Sequence, residues 1–192
     1  QVPGLARCPN FLRRFLVFSL RWLICEGRIN AFLSEHALAR DFDFIDQVFQ
    51  HLQTDCTVRH SDLENIPTHG RVIIVANHPL GGLDGLALLR LVSRVRRDVR
   101  IVVNELLLNI TQLNNVSLPV DALGGETRKA DISRIRDALN NDEAVIIFPS
   151  GEVSRAGPKG VRDRKWLPGF IQLAKTTRAP LLPVHIKARN SN

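Results

Sequence analysis

Two runs of aliphatic residues, each closed by a glycine-bearing turn, constrain this chain more than any other feature. Arg71-Val72-Ile73-Ile74-Val75-Ala76 and Ala144-Val145-Ile146-Ile147-Phe148-Pro149 are nearly continuous in apolar, mostly β-branched residues. Runs without polar alternation read as strands covered on both faces, the condition of a parallel sheet. Further strands are expected near Arg100–Val103, Ser117–Val120 and Leu181–Ile186, with helices near Asp84–Val95, Asp131–Asn140 and Gly169–Thr177 between them. That alternation predicts an α/β fold with a mostly parallel central sheet covered by helices.

The chain before this region is expected to be helical. Phe11–Ile24 is strongly apolar but broken by Arg13, Arg14 and Arg21, so its apolar stretches are too short to span a bilayer. Such a basic amphipathic helix either lies in a membrane interface or packs on the protein's own core. Helices near Ile29–Ala39 and Phe42–Leu52 follow, then a short strand at Cys56–His60. The expected division is an N-terminal amphipathic, membrane-docking segment, 1–55, and an α/β domain, 56–192. The chain begins at Gln1 and holds no methionine, so it reads as an internal fragment or processed form whose domain continues past Asn192.

Chemistry is expected at the two strand ends, because ligands of open α/β sheets bind outside the carboxyl ends of the strands. After the first run comes Asn77-His78-Pro79-Leu80-Gly81-Gly82-Leu83-Asp84-Gly85. His78 and Asp84 have the character of a general base and its orienting carboxylate, and Gly81 and Gly82 let the backbone approach a ligand. Asp84 is equally well placed to be the N-cap of the next helix, and one carboxylate can serve both purposes. After the second run comes Ser150-Gly151-Glu152-Val153-Ser154-Arg155. Its guanidinium suits an anion through two parallel hydrogen bonds, although charged groups in a turn can simply face water.

Composition narrows the field. Lys and Arg number 26 against 19 Asp and Glu, a net charge of +7, which favours acidic partners such as anionic lipid, a phosphorylated substrate or an acidic carrier protein. Nucleic acid finds little support: aromatics are 6%, tyrosine is absent, and no recognition motif appears. Cys8, Cys25 and Cys56 and the six histidines lack metal-ligand spacing, so no metal is expected. There is no P-loop and no Gly-x-Ser-x-Gly elbow.

On these residues the segment from about Arg71 to His185 resembles the glycerolipid acyltransferase superfamily, the relatives of lysophosphatidic acid acyltransferase. It is most similar to the bacterial hemolysin-like branch, which includes O-acyltransferases of ornithine- and glycine-lipid synthesis. The family's first motif, Asn-His-x-x-x-x-Asp, is matched by Asn77 and His78, with five residues rather than four before Asp84. Its third motif, Phe-Pro-Glu-Gly-Thr-Arg-Ser, is matched by Phe148, Pro149 and Gly151, with Ser150 and Glu152 at the glutamate and threonine positions. Its fourth, a proline among aliphatics that helps wall the acyl site, is matched by Leu181-Leu182-Pro183-Val184. The arginine of the second motif is missing from Leu118-Pro119-Val120-Asp121, and Arg128 or Lys129 is the nearest replacement.

The resemblance implies transfer of a fatty acyl group from an acyl-thioester, on acyl carrier protein or coenzyme A, to the hydroxyl of a lysolipid. His78 and Asp84 would be catalytic. Asn77, Gly81, Gly82, Arg128, Lys129, Ser150, Gly151, Glu152, Ser154 and Arg155 would bind substrate, with oxyanion contacts from the backbone near Gly81, Gly82 or Gly151. No cofactor is implied beyond the thioester co-substrate. The expected setting is peripheral, on the cytoplasmic side of a bacterial inner membrane. A lipid-binding module without turnover and an acyl-thioester hydrolase are the alternatives.

Overall fold

The structure, a computed structural model, describes residues 26–120, 129–157 and 160–188. At its centre the strand β1 (Val72–Ala76) buries all five residues. It can do so because parallel strands flank it: β4 (Ala144–Ile147) pairs Val72 with Ala144, and β7 (Leu181–Val184) pairs Ile73 with Leu181. With β2 (Val99–Asn104) and β3 (Ser117–Val120) they form a five-stranded sheet in the order β3-β2-β4-β1-β7. Every pairing in this sheet is parallel.

The period-two geometry of β1 sends its side chains to both faces. Val72, Ile74 and Ala76 pack with Ile45 and Phe49 of the helix Asp41–His51 and with Leu88, Leu89 and Val92 of the helix Gly82–Val92. Ile73 and Val75 pack with Ile135, Ala138 and Leu139 of the helix Lys129–Asn140. Phe170 and Leu173, from the helix Gly169–Thr177, close the same face. The protein is therefore α/β, with a parallel sheet covered by helices on both sides, as the aliphatic runs require.

The chain divides into compact units of residues 1–39 and 40–192. In the first, the described residues form one helix, Glu26–Glu35; the expected amphipathic helix Phe11–Ile24 lies outside the described residues. In the second, the helix Asp41–His51 buries Phe44, Ile45 and Phe49, so it belongs with the sheet rather than with the N-terminal segment. Two local expectations change. Cys56–His60 is not a strand; residues 54–59 are irregular and His60–Leu63 is a single helical turn. A two-stranded antiparallel hairpin, β5 (Arg155–Gly157) with β6 (Gly160–Arg162), stands apart from the main sheet where only a loop was expected.

Candidate active site

β1 and β4 end side by side, with Val75 opposite Ile147, so the turns that follow them share one end of the sheet. Asn77 leaves β1 with its side chain fixed. Its Nδ2 donates to the Ile186 carbonyl at 2.8 Å, and its Oδ1 accepts the Ile186 N–H at 2.6 Å. Both ends of the amide are thus engaged in splicing the β1 turn to the chain beyond β7.

His78 follows. Its ring stacks on Phe148, just past β4, with centroids 4.0 Å apart and planes 19° from parallel. Its Nδ1 lies 3.2 Å from Asp84 Oδ2, and the ring is largely enclosed, with the side chain 17% exposed. The approach is close but poorly directed, so buried Nδ1 lies against the carboxylate without a well-aligned hydrogen bond. With Nδ1 turned to the carboxylate, Nε2 is the ring nitrogen left for a reacting group.

Asp84 is 2% exposed and sits inside the helix Gly82–Val92 rather than at its N-cap. Gly81 holds the cap position with φ 76° and ψ −135°. From the first turn, Asp84 Oδ2 reaches back to accept the Leu80 N–H, one residue before the cap, at 2.7 Å. One oxygen therefore ties the turn and faces the imidazole. The five-residue interval between His78 and Asp84 closes because the chain reverses at Gly81, where a Cβ would meet Val153 Cγ2 at 3.2 Å.

The turn after β4 clamps the histidine from outside. The Ser154 N–H donates to the His78 carbonyl at 2.8 Å, and the His78 N–H donates to Asp163 Oδ1 at 3.1 Å. Asp163 also accepts from Ser154 Oγ, and its Oδ2 accepts the Trp166 Nε1–H at 2.8 Å. Burial works against its charge, but the bonds from Ser154, Trp166 and His78 outweigh it and hold the carboxyl below the usual aspartate range.

A histidine–aspartate pair at the strand ends of a parallel sheet is an arrangement for moving a proton to or from a bound group. Comparison with known proteins gives this arrangement a family. The acyltransferase family matches residues 3–192. The chain belongs to it.

Among the relatives of this chain are two curated proteins named lyso-glycine lipid O-acyltransferase. The one from Phocaeicola vulgatus is 31% identical over 185 residues, covering 95% of this chain. The one from Bacteroides thetaiotaomicron is 32% identical over the same length. The chain spans 65% and 66% of the length of these two relatives. Among solved structures, the 1-acyl-sn-glycerophosphate acyltransferase PlsC from Thermotoga maritima aligns with a TM-score of 0.49 at 22% identity, covering 90% of this chain and 73% of that one.

Other expected site residues fall into distinct places. Ser150 is buried, and its Oγ donates to the Glu152 carbonyl at 2.7 Å, shaping the turn. The N–H of Gly151 donates to the Phe148 carbonyl at 3.1 Å, so that turn rather than an oxyanion takes the bond. Glu152 pairs with Arg155 at 2.7 Å and with Arg164. Arg155 remains 61% exposed beside the site. Gly82 is exposed at the start of its helix. Lys129 is exposed at the start of the helix Lys129–Asn140, and Arg128 lies outside the described residues.

Sequence reasoning missed Asp163, Trp166 and Arg164. The available signal was an acid at position 163 within the otherwise basic run Arg162-Asp163-Arg164-Lys165. An open cleft of about 410 Å³ adjoins this cluster, lined by Asn77, Pro79, Ser154, Asp163, Trp166 and Ile186 among others. Among the described residues no group of three or more His, Cys, Asp or Glu side chains is placed to hold a metal ion.

Proposed function

We propose that this acyltransferase moves a fatty acyl group from an acyl-thioester to the hydroxyl of a lysolipid, with His78 as general base. The observation that carries the reading is the enclosed pair His78 Nδ1 and Asp84 Oδ2, 3.2 Å apart. The carboxylate of Asp84, facing Nδ1, favours the tautomer in which Nε2 is the basic nitrogen, and its charge stabilises the imidazolium that forms. As the acceptor oxygen attacks the thioester carbonyl, its proton passes to Nε2 and a C–O bond forms. Collapse of the tetrahedral intermediate breaks the C–S bond, and the departing sulfur takes the proton back from the imidazolium. No covalent enzyme intermediate and no metal enter this scheme.

The names of the two relatives favour an aminolipid acceptor that ends in a carboxylate, a lyso-glycine lipid. The excess of cations over acids suits either an acidic carrier protein or coenzyme A as donor. Catalysis at the cytoplasmic face of an inner membrane, with the enzyme held peripherally, follows from a lipid acceptor meeting a soluble thioester.

Labelled palmitoyl-carrier protein and palmitoyl-coenzyme A, each offered with lyso-glycine lipid, lyso-ornithine lipid and lysophosphatidic acid, test the reading. A diacylated product from one acceptor, lost in His78→Ala, is the expected result. Free fatty acid with every acceptor unchanged would replace transfer with hydrolysis. Unchanged donor and acceptor would leave a lipid-binding module.

A further inference from the structure

The stretch that follows the hairpin has two sides. Asp163 and Trp166 turn inward, where they hold the backbone of His78 and each other. The residues around them, Val161, Arg162, Arg164, Lys165 and Leu167, are exposed. Val161 is 59% exposed and Leu167 63%, apolar side chains set among cations on one short strap. The strap is anchored at its far end as well, since the Leu167 N–H donates to the Pro149 carbonyl at 2.9 Å.

Two further exposed aliphatics extend this surface. Val153, 44% exposed, lies in the turn after β4 with its side chain near Gly81. Ile171, 41% exposed, is in the first turn of the helix Gly169–Thr177, one helical turn beyond Leu167. Scattered apolar residues on a surface need no explanation, but two strongly exposed aliphatics set among cations on one strap beside a reaction site mark an interaction surface. Charge identifies the kind of partner: residues 160–167 carry three cations, Arg162, Arg164 and Lys165, against one carboxylate, Asp163, which is turned to the His78 N–H. Aliphatic side chains interleaved with arginine and lysine suit the interface of an anionic bilayer, where the apolar groups enter the acyl boundary and the cations meet phosphates.

We propose that the outward face of residues 160–167, with Val153 and Ile171, is a membrane-contact surface of the catalytic unit itself, resting on anionic lipid. It rests on the lysolipid reading for its purpose, since the same strap that touches lipid holds the backbone of His78. Its test requires no turnover, so the two readings fail separately.

The chain has two tryptophans, Trp22 and Trp166. In a Trp22→Phe variant of this 192-residue chain the signal therefore comes from Trp166 alone. The variant is mixed with phosphatidylglycerol/phosphatidylcholine vesicles whose acyl chains are brominated, because bromine quenches tryptophan only at short range. Quenching of Trp166 on binding, reduced several-fold by Val161→Ser with Leu167→Ser and weakened by added salt or by Lys165→Glu, is the expected result. Lys165→Glu, at an exposed position, covers the case in which the double variant folds poorly. Vesicle binding without quenching would place attachment elsewhere on the chain and overturn the proposal. So would unchanged quenching in both variants, or loss of carrier-protein capture in Lys165→Glu without any change at vesicles.

Discussion

Asp163 accepts the main-chain N–H of His78 at 3.1 Å, across 85 residues of sequence. The same carboxylate receives Ser154 Oγ, and Ser154 returns its own N–H to the His78 carbonyl at 2.8 Å. The peptide groups on both sides of the histidine are thereby fixed by a segment that carries no reacting group in the proposed scheme. Among the described residues the ring is held by the Phe148 face and the Asp84 contact, so its aim depends on where its backbone is held.

Asp163→Asn is therefore expected to lower kcat more than it raises the acceptor KM. Displacing a reacting group by about 1 Å can cost up to roughly 100-fold. The amide oxygen can accept at most two of the three bonds and its NH2 must face a donor, so the clamp on the histidine loosens while the acceptor site is left in place. Steady-state kinetics with a fixed donor measure the split. An unchanged kcat with a raised KM would mean that Asp163 meets the substrate instead.

Asp163 also sets a pH dependence of stability. Its folded pKa is held below the ordinary aspartate value of about 3.9, with burial opposing and the bonds from Ser154, Trp166 and His78 prevailing. The unfolded chain then binds the proton more readily than the folded one, so stability rises with pH through this window. The contribution is complete above the unfolded pKa and is lost as pH falls through the folded one. Urea midpoints recorded from pH 6 down to pH 3 are expected to fall more steeply for the parent than for Asp163→Asn. Parallel curves would remove Asp163 from this role.

Asp84 separates two duties that a single truncation would confuse. Asp84→Ala strips the part-buried Leu80 N–H of its acceptor, and a lost hydrogen bond to a charged group costs about 1.5–3 kcal/mol. Asp84→Asn keeps a carbonyl for Leu80 while removing the charge that faces His78 Nδ1 at 3.2 Å. The asparagine variant is expected to melt close to the parent yet lose about 10²–10⁴ in kcat, as triads do when the carboxylate is replaced by an amide. Melting curves beside single-turnover rates measure the two effects separately.

The sheet was readable because its strands are buried on both faces and so display uninterrupted aliphatic runs. Ser117–Val120 and Gly169–Thr177 fall at the expected boundaries. The His78–Asp84 contact was readable because it is local, closing within one turn. The hairpin Arg155–Arg162 was not, since exposed strands rich in arginine and glycine lack the alternation that marks a half-buried strand. Cys56–His60 misled in the opposite sense, as β-compatible residues with no neighbouring strand to pair with. Asp163 was hidden because its partners, the His78 N–H and Trp166, come together only once the fold has formed.

Gly81 and Gly82 look interchangeable in sequence but are not in structure. Gly81 has φ 76°, a conformation that side chains rarely adopt, and an added Cβ would meet Val153 Cγ2 at 3.2 Å. Gly82 begins the helix with nothing within 4 Å of an added Cβ. Gly81→Ala is expected to cost about 1–3 kcal/mol in backbone strain. It should also lower activity, because Leu80 and His78 lie on the same turn. Gly82→Ala, at an exposed position, should stay within about 0.5 kcal/mol of the parent and keep its rate. Thermal midpoints and initial rates for the pair decide the matter: equal losses would mean that the turn tolerates a side chain at either position, and the account of how His78 and Asp84 meet across five residues would have to change.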